Sequence, residues 1–151
     1  SPFIVWYPKE VRANVIKKGV GHLIDIAPTL YDFAGATYPE HVGDTAINTL
    51  PELSLRPLLR SDSNQVDRHV PLFWERAGNR AVRYGKWKLV SLFKDGNKPE
   101  LYNIDEDRSE NNNLASRYPA IVKDLEARYK AWAEENSVVD YKRLKTNNQF
   151  R

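Results

Sequence analysis

The strongest constraint on this chain is the alternation of apolar and polar side chains within residues 72–104. Trp87 and Leu89 alternate with Lys86 and Lys88, and a two-residue period is typical of a β-strand with one buried face. Short runs of β-favouring residues occupy the rest of this range, in the order LFWE, NRAVR, KWKLVSLF and ELYNI. The pattern predicts several strands that share one apolar face.

Turn-forming residues separate the last three of these runs. Tyr84-Gly85 precedes KWKLVSLF, and Asp95-Gly96-Asn97 follows it. Gly, Asn and Asp accept the positive φ values of tight turns, so KWKLVSLF should return against ELYNI as a hairpin. We therefore expect an antiparallel meander of about four strands over about residues 70–104.

A long amphipathic helix is predicted over about residues 118–136. Ile121, Leu125, Tyr129 and Trp132 recur at the spacing of one helix face, while charged residues fall off that line. The helix should cover the apolar face of the sheet. Together the two patterns predict an α+β fold.

An additional short helix is predicted near the N-terminus, within residues 22–35. Asp25 can cap its first turn, Pro28 fits there because its missing N–H is not needed, and Gly35 can end it. Its packing face is expected at Leu30, Phe33 and Ala34. Residues 53–59 should add one or two helical turns.

The first 21 residues contain an apolar run and a polar connection. Residues 3–7, FIVWY, favour a strand that Pro8 ends, yet no βαβ pattern follows to supply neighbouring parallel strands. The chain also opens on Ser1-Pro2 rather than on Met. We therefore expect a chain begun mid-protein, with residues 1–21 left over from a missing domain and residues 22–151 forming a subdomain.

Composition argues against several kinds of partner. The net charge of +3 is too small to indicate nucleic-acid binding, which usually concentrates basic residues on one face. The chain has no Cys, which removes disulfides, thiolate metal sites and a cysteine nucleophile. No apolar run approaches the roughly 20 residues that span a bilayer. We expect neither a nucleic-acid nor a membrane partner.

The sequence contains no complete catalytic or metal-binding set. Neither a phosphate-binding GxxxxGK[ST] loop nor a GxSxG elbow is present. His22, His41 and His69 have no partners at ligand spacing, and the acidic residues of 105–110 do not match a twelve-residue calcium loop. We expect no catalytic residue, metal ligand or cofactor within this chain.

Candidate ligand-binding residues flank Gly78 at a bend between two strands. Glu75, Arg76, Asn79 and Arg80 could bring their polar ends together on a ligand there. Arginine suits sulfate, phosphate or carboxylate because its planar guanidinium binds these anions in a bidentate way. The alternative is a structural turn whose charges satisfy one another.

The hairpin of residues 76–88 mixes basic and aromatic side chains, which is typical of polyanion-binding surfaces. A free-standing polyanion-binding module is therefore a second hypothesis. Against it, strand alternation divides the cations between two faces, and Lys and Arg at sheet edges commonly prevent edge pairing. The cations are Arg76, Arg80, Arg83, Lys86 and Lys88.

Three segments carry a family resemblance: HLIDIAPTLYDFAG (22–35), WERAGNRAVRYGKWKLV (74–90) and ELYNIDEDRSENNNLA (100–115). In order and spacing they resemble the C-terminal part of the formylglycine-dependent (type I) sulfatases, arylsulfatase-like members of the alkaline-phosphatase superfamily. The third is similar to the family's ELYDL-x-x-D-x-x-E-x-x-NLA segment. With the FIVWY run, the resemblance covers nearly the whole chain.

The resemblance implies a subdomain that packs against a large N-terminal catalytic domain of the parent. In this family a Cys or Ser within [CS]-x-P-x-R becomes formylglycine, which attacks sulfate esters beside a calcium ion. This sequence lacks that motif, since Ser54-Leu55-Arg56-Pro57 places the proline one position late. The fragment alone is therefore expected to be inactive and could self-associate. A sulfated small molecule or glycan as the parent's substrate and a periplasmic or other extracytoplasmic location are likewise implied.

Position 76 departs from the family pattern. The family commonly has His in a WEHxGNRA-like segment where this chain has Arg76. If the position faces the substrate, Arg76 would favour an additional anion, such as that of a polysulfated glycan. If the position is structural, no substrate preference follows.

Overall fold

The computed structural model describes residues 2–50, 53–63 and 68–146, with side chains to Leu144. The chain divides into two compact units, Ser1–Arg68 and His69–Arg151, which we call the N-terminal unit and the C-terminal unit. Helices and antiparallel strands together confirm the predicted α+β fold class.

The N-terminal unit is mostly helical and irregular. It contains a 3₁₀ turn at Leu23–Asp25, helix α1 at Ile26–Ala34, a hairpin of β1 (His41–Val42) and β2 (Thr45–Ala46), and helix α2 at Arg56–Arg60. As predicted, α1 ends at Gly35, whose φ is 61°. The helical turns expected within residues 53–59 are present as α2.

The strand predicted at residues 3–7 does not form in this chain. None of the described residues pairs with this segment. A strand satisfies its amide and carbonyl groups only through a neighbouring strand, so an apolar and β-favouring composition is not sufficient. The assignment of residues 1–21 to a missing domain stays a prediction.

The buried face of α1 differs from the predicted one. Leu30 is exposed and Thr29 is buried. The Thr29 hydroxyl donates to the Asp25 carbonyl oxygen at 2.6 Å and accepts from the Leu55 N–H at 2.8 Å. A pair of buried polar contacts, rather than an apolar stripe, therefore determines how this helix faces α2.

The Asp25 carboxylate does not cap α1, contrary to the sequence prediction. It accepts from the His22 N–H at 2.7 Å and so closes the preceding 3₁₀ turn. Both of its oxygens also face Arg68, at 2.5 and 3.0 Å. Asp25 has no exposed surface and the Arg68 side chain is 7% exposed. This bidentate pair leaves neither buried charge without a partner, the condition under which a buried ion pair is tolerated.

A second, more exposed ion network lies on α2. Arg56 makes a bidentate contact with Glu10, at 2.8 to 3.0 Å, and also donates to an Asp32 carboxylate oxygen at 2.8 Å. Hydrogen bonds from Ser54 and Arg56 lower the pKa of the Asp32 carboxyl. Residues far apart along the chain are thereby held together within the N-terminal unit.

The C-terminal unit is built on a four-stranded antiparallel sheet. Its strands are β3 (Leu72–Arg76), β4 (Asn79–Tyr84), β5 (Trp87–Ser91) and β6 (Pro99–Asn103), paired in sequence order. The register aligns Phe73, Val82, Leu89 and Leu101 in one row across the sheet. The predicted meander and its turns are confirmed.

Helix α3, Pro119–Glu135, covers one face of this sheet, as predicted. Leu125 and Tyr129 are buried against the apolar row together with Val122, which the sequence prediction missed in favour of the less buried Ile121. Trp132 stacks on Phe73 at 5.1 Å between ring centroids. A short helix α4, Tyr141–Thr146, follows.

The basic residues of the hairpin 76–88 are divided between the two faces of the sheet. The Arg80 guanidinium carbon lies 5.4 Å from the centroid of the Tyr129 ring, on the face covered by α3. Lys88 forms an ion pair with Glu110. Arg80 therefore lies under α3 and Lys88 is paired with a carboxylate, so the hypothesis of a free-standing polyanion-binding module gains no support.

Candidate functional site: the turn at residues 76–79

A two-residue turn joins β3 to β4 at the bend where ligand-binding residues were predicted. Arg76 pairs with Asn79 across the ladder, which leaves Ala77 and Gly78 as the turn. Their φ values are 51° and 81°, the left-handed pair that matches the twist of a hairpin. Glycine adopts this region freely, but alanine does so at a cost of about 1–2 kcal/mol. The backbone beside Arg76 is therefore strained.

Glu75 fastens this turn from the side of α3. One carboxylate oxygen accepts from the Gly78 N–H at 2.8 Å, and the other accepts from the Tyr129 hydroxyl at 2.5 Å. Burial, together with the bond to Glu75, raises the pKa of the Tyr129 phenol, so it keeps its proton and acts as the donor. The carboxylate thus joins the turn to the middle of α3.

Asn79 fastens the turn from its other end. Its Nδ2 donates to the Arg76 carbonyl oxygen at 3.0 Å, and its Oδ1 accepts from the Phe93 N–H at 3.0 Å. The side chain therefore connects the turn to the 3₁₀ segment Phe93–Asp95 that follows β5.

Arg76 differs from the other three predicted site residues. Its side chain is exposed and makes no hydrogen bond or ion pair with any residue that the structure describes. Side chains alternate along a strand, so Arg76 lies on the sheet face opposite Glu75 and α3. Glu75, Asn79 and Arg80 are engaged inside the unit, whereas the Arg76 guanidinium is available to an anion. The candidate site thus consists of the exposed Arg76 guanidinium on a turn that Glu75 and Asn79 hold by hydrogen bonds.

Gly78→Ala is expected to destabilise the C-terminal unit more than Gly85→Ala. A Cβ on Gly78 would lie 2.7 Å from the Phe93 ring and 3.1 Å from the Tyr141 Cβ, whereas one on Gly85 meets nothing within 4 Å. Both positions have a positive φ, so each carries the left-handed cost of about 1–2 kcal/mol. Overpacking adds about 1–3 kcal/mol at Gly78 alone. Urea denaturation of the two variants measures the difference in their free energies of unfolding. Equal losses of stability would contradict the predicted clash at Gly78.

No cluster that could hold a metal ion occurs among the described residues. His22 instead accepts a hydrogen bond from the Ile24 N–H at 3.4 Å in the 3₁₀ turn. The carboxylate set that calcium requires is therefore not assembled in residues 2–50, 53–63 or 68–146. None of the helices in these ranges is long and apolar enough to cross a membrane.

Comparisons with known proteins agree with the fold and point to one family. A family model described as "N-sulphoglucosamine sulphohydrolase, C-terminal" matches residues 1–135. An uncharacterized sulfatase of Schizosaccharomyces pombe is 28% identical over 143 residues, covering 91% of this chain and 26% of that protein. An N-acetylglucosamine-6-O-sulfatase of Bacteroides thetaiotaomicron is 25% identical over 128 residues, covering 75% and 21% respectively.

A solved structure extends the comparison to three dimensions. A protein crystallised with its substrate, D-glucosamine-2-N,6-O-disulfate, superposes with a TM-score of 0.60 at 22% identity, covering 95% of this chain and 29% of that one. At this identity the likeness concerns the fold. The chain spans about a quarter of the length of the curated relatives described above.

Proposed function

This chain belongs to the family of N-sulphoglucosamine sulphohydrolase C-terminal domains, and we propose that it forms one wall of the substrate pocket in a larger sulfatase. In this role Arg76 contacts an anionic group of the substrate. One observation supports this proposal most directly. Of the four candidate residues, only Arg76 has a side chain without a hydrogen-bond, ion-pair or cation–π partner among the described residues, and the turn beside it is held by the hydrogen bonds of Glu75 and Asn79.

The proposed substrate is a sulfate ester that bears a second anionic group, such as a multiply sulfated sugar. The guanidinium fork matches the oxygen geometry of a sulfate group and stays charged at all physiological pH values. Two of the similar proteins are named for sulfated glucosamines, which supports this class. The [CS]-x-P-x-R segment that supplies the nucleophile in the family does not occur in this sequence, so the isolated chain is expected to be inactive.

The proposed partner is an N-terminal catalytic domain of the parent enzyme. The N-terminal unit exposes large apolar side chains, including Phe3, Ile4 and Trp6, the last being 84% exposed. Phe3, Trp6, Leu30 and neighbouring residues line an apolar cavity of about 350 Å³. Exposed apolar patches of this kind mark contact surfaces, and the relatives are about four times longer than the matched region. Self-association of the isolated chain would cover the same surface.

The cofactors implied for the parent are calcium and formylglycine. The described residues do not fit a calcium site, and no [CS]-x-P-x-R segment occurs in the sequence. Both would therefore be supplied by the catalytic domain. An extracytoplasmic setting is proposed on the same family grounds. Reading the gene upstream of Ser1 tests the class, because a [CS]-x-P-x-R segment is expected there and its absence would overturn the proposal.

Arg76→Ala in the full-length enzyme is expected to raise KM for a multiply sulfated substrate by about 10- to 100-fold. This corresponds to the loss of a hydrogen bond to a charged group, about 1.5–3 kcal/mol. A minimal aryl sulfate lacks the second anion, so its KM should change little. Steady-state kinetics on both substrates measures the difference.

Two variants control the Arg76 experiment. Arg108→Ala removes an exposed arginine outside the turn and should leave both substrates unaffected. Arg76→Lys keeps the charge but loses the bidentate fork, and an intermediate KM is expected. Equal effects of Arg76→Ala on both substrates would reject the substrate contact and leave Arg76 a surface residue.

A further inference from the structure

We propose that Tyr129, on helix α3, is a positioning residue that sets the orientation of Arg76 through Glu75. The inference rests on the proposed contact between Arg76 and the substrate. It assigns a role in substrate preference to a side chain that lies on the opposite side of the sheet from Arg76.

The link consists of two hydrogen bonds that share one carboxylate. The Tyr129 hydroxyl donates to one Glu75 oxygen at 2.5 Å, and the Gly78 N–H donates to the other at 2.8 Å. Glu75 and Gly78 lie on either side of Arg76 and Ala77 along the chain. The direction in which β3 enters the turn, and with it the Arg76 Cα–Cβ bond, is therefore restrained by a residue of α3 as well as by the ladder to β4.

Dense packing does not replace this link on the side of α3. A cavity of about 450 Å³ lies beside the turn, and its lining includes Glu75, Gly78, Arg80 and Tyr129. Side chains next to such a space have few partner atoms on that side, which leaves room for movement. The hydrogen bond between Glu75 and Tyr129 is accordingly the main contact that restrains the turn on the side of α3.

Phe93 and Tyr141, which also line this cavity, limit the movement of the turn, and the Asn79 side chain holds its other end. Gly78 lies so close to Phe93 and Tyr141 that a Cβ would reach within 2.7 Å of the Phe93 ring and 3.1 Å of the Tyr141 Cβ. These side chains prevent the turn from moving toward them. Without the Tyr129 bond, the Glu75 end of the turn loses its hydrogen bond to α3.

Backbone strain gives the turn a reason to move when the link is cut. Ala77 has a φ of 51°, a conformation that persists in non-glycine residues only when surrounding contacts enforce it. Removing the Tyr129 hydroxyl takes away one enforcing contact and leaves the Glu75 carboxylate with a single partner. We expect Ala77 to relax and the Arg76 guanidinium to sample a wider range of positions.

The test is Tyr129→Phe in the full-length enzyme, alone and combined with Arg76→Ala. The single variant should raise KM for a multiply sulfated substrate by about three- to ten-fold, the range of one lost hydrogen bond, and leave kcat on a minimal aryl sulfate unchanged. In the Arg76→Ala background the same substitution should have no further effect on KM. Tyr118→Phe, whose hydroxyl has no hydrogen-bond partner among the described residues, serves as the matched control.

A second measurement separates this inference from the proposed function. Hydrogen exchange of the Gly78 amide in the 151-residue chain should be faster in Tyr129→Phe than in Tyr118→Phe, because the acceptor Glu75 is loosened. Unchanged exchange of the Gly78 amide would overturn the positioning role. So would an equally large rise in KM when Tyr129→Phe is made in the Arg76→Ala background. If Arg76→Ala alone changed KM equally for the multiply sulfated substrate and the minimal aryl sulfate, the substrate contact would be overturned instead. The exchange rate of the Gly78 amide would still decide whether Tyr129 holds the turn.

Discussion

Asp25→Ala is expected to destabilise the N-terminal unit by about 3–5 kcal/mol, the cost of removing one partner from a buried ion pair. The substitution removes the Asp25 carboxylate from the Arg68 guanidinium, whose side chain is 7% exposed. It also removes the acceptor of the His22 N–H. The penalty is large because the remaining charge stays away from water, and Asp25→Asn should recover only the hydrogen-bonding part.

Hydrogen exchange of the Leu55 amide measures this loss. That N–H donates to the Thr29 hydroxyl within the same buried region, so its exchange reports the opening of the unit. The matched control is Asp62→Ala, which breaks the ion pair between Asp62 and Arg12. The side chains of these two residues are 89% and 73% exposed, respectively. Exposed pairs contribute about 0–1 kcal/mol. Similar losses in the two variants would show that the buried pair is not a principal support of this unit.

Leu125→Ala is expected to destabilise the C-terminal unit by about 2–5 kcal/mol. Leu125 is buried on α3 against the apolar row of the sheet, and truncation removes both its buried surface and its packing contacts. Urea denaturation followed by the fluorescence of Trp87 and Trp132, which pack against this cluster, measures the loss in the free energy of unfolding.

Lys123→Ala is the control for the Leu125 experiment. Lys123 lies on the same helix but is exposed, so its replacement should change stability by no more than about 0.5 kcal/mol. A loss below about 1 kcal/mol for Leu125→Ala would mean that α3 does not depend on the sheet for its stability, contrary to the packing described above.

The sheet and α3 could be predicted from the sequence because each is encoded by a local period. Trp87 and Leu89 repeat at two residues, Leu125 and Tyr129 at four, and each period places apolar side chains on one surface. Turn residues such as Gly96 then fix where the direction reverses. Local patterns of this kind give the element, its approximate bounds and its buried face.

The polar supports could not be predicted because they join residues that no local pattern connects. Asp25 and Arg68 are 43 positions apart, and Glu75 and Tyr129 are 54 apart. Periodicity assigned Tyr129 to the core, which is confirmed, but a period contains no information on where a hydroxyl group finds its partner. The predicted burial of Leu30 was wrong for the same reason, because the hydroxyl of Thr29 decides that face.

The candidate site was predicted as a group of four residues. In the structure, three of them contact other residues of the C-terminal unit, and the Arg76 side chain has no hydrogen bond or ion pair among the described residues. The sequence places Glu75, Arg76, Asn79 and Arg80 beside Gly78, but strand alternation alone does not say which of them finds an internal partner. That distinction depends on Tyr129 and Phe93, which come from other elements. A role of these four residues in substrate binding stays a prediction until the kinetic tests above are made.

The arrangement of the turn has a consequence for how this surface can be altered. Arg76 contributes its backbone to the hairpin but has no side-chain hydrogen bond or ion pair to lose within the described part of the chain. Exchanging it should therefore cost almost no folding free energy, while Glu75 and Asn79 keep the new side chain in the same place. If the proposed substrate contact holds, substrate preference could be changed at position 76 without a matching loss of stability, and saturation mutagenesis at this single site would test both properties together.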